Sequence, residues 1–328
     1  MSRLAERIVI TLGGAHLDRR GRIAGRAVMG ASNPGSLFEE AGGGGFNAAR
    51  NLARLGCAVT MVSPRGGDAA GDLVSQAAVE AGVEDKAFVF LDRQTPSYTA
   101  ILEDDGNLVI AIADMDLYRL FGPRRVQQRA LREKIAGADA LLTDANLPAE
   151  TLAAIVGLDE ARGRLRAGIA ISPAKVVRFL PSLGQLDCLF MNRAEAAALV
   201  AASTGVDAED PATAKPQDWP KRLSRLGLGG GVVTAGGGPV LAFSGNEAVL
   251  LQPPEIDGHA DVTGAGDALA AGFLAARLSG FSLGESLRHG VAASLITLAS
   301  PLAVSQRMSP ALLGEALEAV PQALALAI

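Results

Sequence analysis

The sequence predicts an α/β fold in which helices cover both faces of a parallel β-sheet, with a small β lid over one edge. Short apolar runs alternate with helical patterns along almost all of the 328 residues, and such alternation is typical of βαβ units. Two segments, 15–38 and 98–112, interrupt the alternation and predict the lid. The length suits one large domain, so we predict a single domain over residues 1–328.

The predicted strands of the main sheet are short apolar runs bounded by polar or glycine-rich residues. They cover residues 8–12, 58–62, 88–91, 140–143, 167–171, 188–191 and 231–234. Helical patterns separate them, most clearly at 46–55, 73–81, 221–228 and from 268 onward. Strands this apolar are expected to be buried on both faces, which requires helices on either side of the sheet.

The two interrupting segments have the composition of β structure rather than of helix. Residues 15–38 are polar and glycine-rich, and 98–112 contain two apolar runs on either side of a turn at 104–107, the pattern of a hairpin. The alternative interpretation is an ordinary surface loop with a hairpin. Because a lid sheet leaves an edge that a second subunit can cover, we expect a homodimer formed through the lid.

Charge and cysteine content exclude several classes of protein. The net charge is −5 and the pI is near 5.4, which argues against a nucleic-acid partner, since such partners favour a basic face. Cys57 and Cys188 lack any metal-binding spacing, so a reduced, cytoplasmic chain is expected. The apolar run after residue 7 is too short for a signal peptide or a membrane span.

The strongest motif is the run 261–267, Asp-Val-Thr-Gly-Ala-Gly-Asp, which leads into an apolar helical stretch. Glycines here leave backbone N–H groups uncovered where a helix begins, and these groups with the helix dipole form an anion site. Asp267 then lies in the first turn, beside the predicted phosphate, where it could accept a proton from an attacking hydroxyl. The alternative is that Thr263 and Asp267 only cap the helix.

Two further segments belong to the predicted nucleotide end. Asn192 and Glu195 follow a predicted strand at i, i+3 spacing, which places both on one face of a helix start, where their oxygens could hold Mg²⁺ directly or through water. A plain capping box would have the same spacing. The glycine-rich run 229–238 predicts a strand and a flexible turn against which a nucleotide could lie, with Thr234, Gly236 and Gly238 as the candidate contacts. The alternative is a glycine-rich hairpin that leads to a strand at 240–243.

Glycines also precede the helix predicted at 46–55, at the opposite end of the site. Gly43 and Gly44 would let a ligand lie on the backbone, and Asn47 offers an amide. Asp18 follows the first strand, and ligands of open α/β sheets bind at the carboxyl ends of strands. A carboxylate there could accept two neighbouring sugar hydroxyls, although Asp18 could equally be a turn residue.

Together these segments resemble the ribokinase-like (PfkB) carbohydrate kinases. The run 42–47 resembles the first signature of that family, 192–195 its Asn-x-x-Glu motif, and 263–267 its second signature, in the same order along nearly the whole chain. The resemblance implies a Rossmann-like, three-layer α/β sandwich with a β lid. It also implies an enzyme that transfers a phosphoryl group from ATP to an alcohol, with Mg²⁺ as cofactor.

The resemblance also implies roles for individual residues. Asp267 would be the base, and the backbone of Gly264, Ala265 and Gly266 would stabilise the developing charge. The remaining assignments place Asn192, Thr234, Gly236, Gly238, Thr263, Gly264 and Gly266 on the nucleotide, Glu195 and Asn192 on Mg²⁺, and Asp18, Asn33, Gly43, Gly44, Asn47, Asp114 and Asn146 on the acceptor. A monovalent cation such as K⁺ is a further candidate, but Val262 stands where most members of the family have Asp.

Within the family, the runs 13–15, 31–35, 111–115 and 144–146 resemble the pseudouridine kinase branch, which implies 5′-phosphorylation of a C-linked nucleoside. Two features depart from that branch: Ser172-Pro173 where Asp-Pro is usual, and four consecutive glycines at 42–45. The alternatives are a kinase of a free sugar, of another nucleoside or of a sugar phosphate, and a nucleoside-binding regulator without catalysis. A Rossmann oxidoreductase is disfavoured because Gly-x-Gly-x-x-Gly does not follow the first strand.

Overall fold

The computed structural model describes residues 7–205, 215–255 and 262–327. Their strands are, in chain order, β1 (Ile8–Leu12), β2 (His16–Ile23), β3 (Gly35–Gly42), β4 (Ala58–Val62), β5 (Pro64–Gly66), β6 (Glu84–Asp85), β7 (Phe88–Phe90), β8 (Ser97–Leu102), β9 (Leu108–Asp114), β10 (Ala140–Asp144), β11 (Leu165–Ile169), β12 (Cys188–Asn192), β13 (Gly230–Thr234), β14 (Val240–Ser244), β15 (Glu247–Leu251) and β16 (Leu324–Ala325).

The α-helices within the same residues lie between and after the strands. They are α1 (Gly44–Arg54), α2 (Ala69–Ala81), α3 (Pro123–Val126), α4 (Arg129–Ala136), α5 (Ala149–Val156), α6 (Pro173–Val176), α7 (Arg193–Thr204), α8 (Asp218–Arg225), α9 (Ala265–Leu278), α10 (Leu283–Leu298) and α11 (Pro310–Glu318). None of the described helices is long and apolar enough to cross a membrane.

The large sheet has ten strands in the order β16-β15-β14-β13-β12-β11-β10-β1-β4-β6. The strands from β6 to β13 are parallel, as predicted, but β13 to β16 pair antiparallel. The parallel part of the sheet was predicted, and the antiparallel pair of β13 and β14 corresponds to the hairpin that the sequence left open as an alternative at 229–243. Five residues join β13 to β14 and two join β14 to β15, too few for the helical crossover that a parallel pair needs.

Helices pack on both faces of the large sheet, which confirms the three-layer α/β sandwich. Neighbouring residues of β1 point in opposite directions: Val9 belongs to a core built with α1, α2, α9, α10 and α11, whereas Ile10 belongs to a core built with α4, α5, α7 and α8. Both residues are almost fully buried. The apolar runs of the sequence thus correspond to strands covered on two sides.

A separate four-stranded sheet, the small sheet, has the order β3-β2-β8-β9. Both segments predicted to form the lid contribute to it, and its strands extend past the predicted limits to Gly42 and Asp114. Only residues 13–15 separate β1 from β2, and β3 ends two residues before α1 begins. The small sheet is therefore rooted at the carboxyl end of β1, beside the start of α1.

The parallel arrangement brings several polar positions to one edge of the large sheet. Asp144, Asn192 and Thr234 are the last residues of β10, β12 and β13, whose carboxyl ends meet at this edge. Because ligands of open α/β sheets bind outside these ends, the edge is where the candidate site is expected.

Candidate active site

Asp267 lies in the first turn of α9, directly after the predicted glycine-rich entrance. Gly264 is the residue that precedes the helix, and its φ of 79° lies in the left-handed region, which favours glycine. A β-carbon at Gly264 would also overlap the carbonyl oxygen of Ala303. Two independent constraints therefore require glycine here, and together they fix where α9 begins and where Asp267 points.

A cavity of about 150 Å³ adjoins Asp267 at the carboxyl edge of the sheet. Its polar lining comes from Asn192, Glu195, Thr234 and Asp267, and its apolar lining includes Ile169, Phe190, Val232 and Leu269. Gly266 also lines it, and a β-carbon at this glycine would meet no atom within 4 Å. The start of α9, where the first N–H groups lack intrahelical acceptors, is thus open to a ligand in the cavity.

The Asp267 side chain is partly buried and lines the cavity. Burial raises the pKa of Asp267 to about 7, a hydrogen bond from Asn47 opposes this rise, Asp144 and Asp18 add to it, and Arg50 lowers it. Loss of water disfavours the charged form of a carboxyl group, which explains the direction of the main effect. A carboxyl group with a pKa near the working pH is well suited to act as a general base.

Asn47, which the sequence assigned to the acceptor, forms a hydrogen bond with Asp267. Its Nδ2 donates to Asp267 Oδ2 at 2.9 Å, and the residue is almost fully buried. Gly44, three residues earlier, makes this approach possible, because a β-carbon there would lie 3.2 Å from Asp267 Oδ1 and overlap the Ile171 side chain. Gly43 precedes α1 with a φ of 108°. The starts of α1 and α9 therefore meet at the Asp267 carboxyl group.

Asp144 was not among the predicted site residues, yet it joins three segments of the site. Its Oδ2 accepts hydrogen bonds from the N–H groups of Gly14 and Gly45, both at 2.8 Å, and its Oδ1 accepts from Asn146 N at 2.8 Å. The residue is completely buried. A buried carboxylate that receives three N–H donors holds the end of β1, the start of α1 and the end of β10 in fixed relation.

Asp18 lies on β2 at the root of the small sheet, where its carboxylate packs against Gly42 with no room for a β-carbon there. His16 Nε2 is 3.2 Å from Asp18 Oδ1, and His16 Nδ1 is 2.9 Å from the Tyr118 hydroxyl group. His16 and Tyr118 are both buried. The Asp18 side chain remains 18% exposed, so it can still receive a ligand while His16 fixes its orientation.

Asn146 follows β10 and forms a second polar group near the same strand ends. Lys175 Nζ donates to Asn146 Oδ1 at 2.7 Å, and burial lowers the pKa of Lys175. Asn146 is buried, and its Nδ2 has no hydrogen-bond partner in the described structure. A buried donor without an acceptor is costly, and a ligand oxygen would satisfy it.

The other predicted acceptor contacts lie on the small sheet and are separated from one another. Asp114 ends β9 opposite Ser97, at the same end of the sheet as Asp18, and is exposed. Asn33 lies in the connection between β2 and β3, beyond the pair Ile23–Gly35, at the other end. Its side chain exchanges hydrogen bonds with the backbone of Val28 and Ala31. The structure thus does not bring Asn33 together with Asp18.

Asn192 and Glu195 form the capping box that the sequence left as an alternative. Glu195 N donates to Asn192 Oδ1 at 2.9 Å and Asn192 N donates to Glu195 Oε2 at 2.7 Å, and burial raises the pKa of Glu195. Both residues also line the cavity. Over the described ranges, no group of three or more acidic, His or Cys side chains could hold a metal.

The remaining nucleotide-end residues border the same edge. Thr234 ends β13 and lines the cavity. Gly236 and Gly238 lie in the turn that follows, and Gly236 has a φ of 61° with open space beside it. Thr263 is exposed immediately before Gly264. Asp261, at the start of the motif, lies outside the described residues.

The sequence pattern of the pfkB family carbohydrate kinases matches residues 21–308. The chain belongs to this family. Pseudouridine kinase of Escherichia coli (strain K12) is 30% identical over 293 residues, which cover 88% of this chain and 90% of that protein. A carbohydrate kinase from Agrobacterium tumefaciens is a solved structure with 55% identity and a TM-score of 0.86, covering 98% of this chain and 100% of that one.

Arabidopsis thaliana ribokinase, whose structure was solved with ribose and ATP, is 21% identical with a TM-score of 0.81, over 95% of this chain and 99% of that one. At this identity the likeness establishes the ribokinase-like fold. The PfkB chain is an ATP-dependent kinase that acts on a hydroxyl group. Transfer of a phosphoryl group from ATP to a hydroxyl group requires a phosphate site, a base and an acceptor pocket to adjoin one another.

One strained residue of this PfkB kinase was not predicted. Ile171 has a φ of 70°, and among the described residues it is the one non-glycine residue with positive φ. Ser172 N donates to Ala170 O at 2.8 Å across it, which closes a three-residue turn of the strained type. The strand predicted at 167–171 consequently ends at Ile169. Ile171 lines the cavity with Asp267, and such strain is concentrated at functional sites.

Proposed function

We propose that this kinase phosphorylates the 5′-hydroxyl group of a nucleoside and that pseudouridine is its preferred acceptor. The observation that carries the proposal is the position of Asp267. Asp267 lines the cavity with Gly266 and accepts a hydrogen bond from Asn47 at the start of α1. In this proposal the phosphates would lie in the cavity, and Asp18 and Asn146 would bind a sugar with a base. The 30% identity to a pseudouridine kinase over most of both chains supports the choice of acceptor.

On the donor side, the triphosphate of ATP would occupy the cavity, with the nucleotide extending along Thr234, Gly236, Gly238 and Thr263. Backbone N–H groups of Gly264, Ala265, Gly266 and Asp267 would face the transferred phosphoryl group and stabilise its developing charge. Glu195 and Asn192 would hold Mg²⁺, directly or through water, and the bound ion would neutralise phosphate charge.

On the acceptor side, Asp18 would accept hydrogen bonds from two ribose hydroxyls over the backbone of Gly43 and Gly44. Asp267 would take the proton from the 5′-hydroxyl group as the hydroxyl oxygen attacks the γ-phosphorus of ATP in line. The bond from the γ-phosphorus to the β,γ-bridging oxygen would break and ADP would leave, while Asn47 holds the Asp267 carboxyl group in place. The small sheet would act as a lid that excludes water and so limits ATP hydrolysis.

The uracil ring would be read by the groups around Asn146 and the small sheet. The unpartnered Nδ2 of Asn146 suits a ring carbonyl oxygen. Pseudouridine carries a ring N–H that uridine lacks, and recognition of it requires an acceptor. Asp114 is better placed than Asn33 to supply that oxygen, because Asp114 lies at the Asp18 end of the small sheet and Asn33 bonds its own turn.

A free sugar is the second candidate, favoured by the 55% identical carbohydrate kinase. A sugar phosphate is less well supported. Arg19 and Arg20 of β2 form ion pairs with Glu39 and Glu40, and Lys175 donates to Asn146. These three cations are therefore already engaged.

The identity of the product tests the proposal directly. Incubation with ATP, Mg²⁺ and pseudouridine should yield ADP and a monophosphate whose phosphorus couples to the 5′-methylene protons in ³¹P NMR. A chelator should stop the reaction and added Mg²⁺ should restore it, and parallel assays with and without K⁺ measure any monovalent-ion requirement. Phosphorylation at another hydroxyl group, or of ribose alone, would contradict the nucleoside assignment.

We further propose that two copies associate through the face of the small sheet that carries Leu37, Gly21, Ile101 and Ile110, which form one row across its four strands, with Ile112 beside them. Leu37, Ile110 and Ile112 are 63%, 56% and 64% exposed. An apolar sheet face that is exposed in one copy would be buried by a second copy.

Ile110→Lys combined with Ile112→Lys should convert a dimer to a monomer in sedimentation velocity, because each lysine would place a charge in the buried interface. Val79→Lys, at an exposed apolar position of α2, is the matched control and should leave the dimer intact. A wild-type protein that sediments as a monomer at micromolar concentration would refute this arrangement.

A further inference from the structure

Arg50 lies one turn after Asn47 on α1 and is almost completely buried. Its Nη2 donates to Asn47 Oδ1 at 2.7 Å and to the Ala41 carbonyl oxygen at 2.6 Å. The guanidinium group also stacks over the Phe46 ring, 4.7 Å from its centroid. These contacts hold the Arg50 side chain in one position between the root of the small sheet and the start of α1.

The hydrogen-bonding capacity of a guanidinium group determines how the Asn47 amide is turned. A guanidinium group has only donors, so Arg50 can bond the oxygen of the amide and not its nitrogen. The amide nitrogen must then face the other way, where it donates to Asp267 Oδ2 at 2.9 Å. If the amide were reversed, its oxygen would face the Asp267 carboxylate and both would be acceptors.

The charge of Arg50 acts on the same carboxyl group. Burial lowers the pKa of Arg50 to about 10, with Glu40, Asp18 and Asp267 opposing the change and Arg54 adding to it. Arg50 therefore remains charged at neutral pH. Among the described residues, the charged groups named as acting on the pKa of Asp267 are Asp144, Asp18 and Arg50, and Arg50 is the cation of these three.

We propose that Arg50 is a positioning residue for phosphoryl transfer: it fixes the Asn47 amide so that its N–H group holds and stabilises the ionised Asp267 carboxylate. Arg50 acts through Asn47 and is not expected to contact either substrate. The proposal rests on the proposed role of Asp267 as the base but does not depend on which acceptor is used.

The first test uses the apo protein and requires no acceptor. In protein labelled with ¹³C at the aspartate carboxyl groups, with the Asp267 signal assigned by its loss in Asp267→Asn, Arg50→Met should raise the pKa of Asp267 by about 1 unit. Arg54→Met is the matched control, since Arg54 lies on the same helix and donates to Ser305 O at 2.5 Å. It should leave that pKa unchanged. If the Asp267 titration curve were the same in the wild-type protein, Arg50→Met and Arg54→Met, the proposal would be overturned.

The second test is a double-mutant cycle on turnover. Arg50→Met should lower kcat by up to ~10²-fold, whereas in an Asn47→Ala background the same change should lower it less than about twofold, because contacts that act as a unit are non-additive. Arg50→Lys, which keeps a donor and a charge, should recover part of the loss and serves if Arg50→Met does not fold. Additive effects would show that Arg50 acts independently of Asn47 and would refute the proposal.

If the wild-type protein phosphorylated none of the acceptors, this result would count against the proposed function but not against the positioning role of Arg50. The carboxyl titration would still decide the role of Arg50 in that case, so the two failures are distinguishable. Loss of thermal stability in both Arg50→Met and Arg54→Met, with no change in the Asp267 titration, would assign Arg50 a purely structural role and refute positioning.

Discussion

Replacement of Asp267 by Asn is expected to lower kcat by about 10²–10⁴-fold, the usual effect of removing a general base. The amide keeps the size of the side chain, so binding of ATP and acceptor should change little. Asp72→Asn is the matched control, because Asp72 lies in the first turn of α2 and is exposed. Near-native turnover of Asp267→Asn in a coupled ADP-release assay would refute the role of Asp267 as the base.

The pH dependence of kcat is a second test of Asp267 as the base. Burial raises the pKa of Asp267 to about 7, so the carboxyl group is protonated below that pH and cannot accept the hydroxyl proton. The wild-type kcat should therefore fall as the pH is lowered through about 7 and reach a plateau above it. In Asp267→Asn the residual rate should lose this dependence.

Asp18→Asn is expected to raise the acceptor KM by about 10- to 100-fold, because a hydrogen bond from a hydroxyl to a charged group contributes ~1.5–3 kcal/mol. The ATP affinity should be unchanged, since Asp18 lies on the small sheet and the cavity beside Gly266 does not include it. Asp104→Ala, in the exposed turn between β8 and β9, is the control. Calorimetry that found weaker ATP binding and unchanged acceptor binding would reverse the two ends of the site.

The parallel part of the fold could be predicted because its strands are apolar runs, and such runs must be buried on both faces of a sheet. The antiparallel edge could not, since the glycines at 236–238 suit a hairpin and a nucleotide-binding turn equally well. The lid segments were predicted from their lack of helical pattern, and the described small sheet confirms their β structure. Its residue pairing depends on contacts between segments about 80 residues apart, such as Arg20 with Ala100.

The candidate site could likewise be predicted only in part, because several of its contacts join residues far apart in the sequence. A glycine-rich entrance followed by an acidic residue is a local pattern, so the position of Asp267 in the first turn of a helix could be predicted. Asp144 was missed because its partners Gly14 and Gly45 are 130 and 99 residues away. Asn47 was assigned to the acceptor alone, whereas its bond to Asp267 spans 220 residues. One signal could have indicated Asp144. It is an acidic residue at the end of a buried strand, in a chain that also has two glycine runs whose N–H groups need an acceptor.

The most direct test of the account is the ratio of kcat/KM for pseudouridine to that for uridine, measured in one buffer with ribose as a further acceptor. Sites built to pair a ring N–H group reject analogues that lack it by orders of magnitude, about 10⁴-fold in strong cases. We expect pseudouridine to be preferred to uridine by at least about 10²-fold and to be preferred to ribose as well. A ratio near one, or a preference for uridine or ribose, would contradict the assignment of pseudouridine.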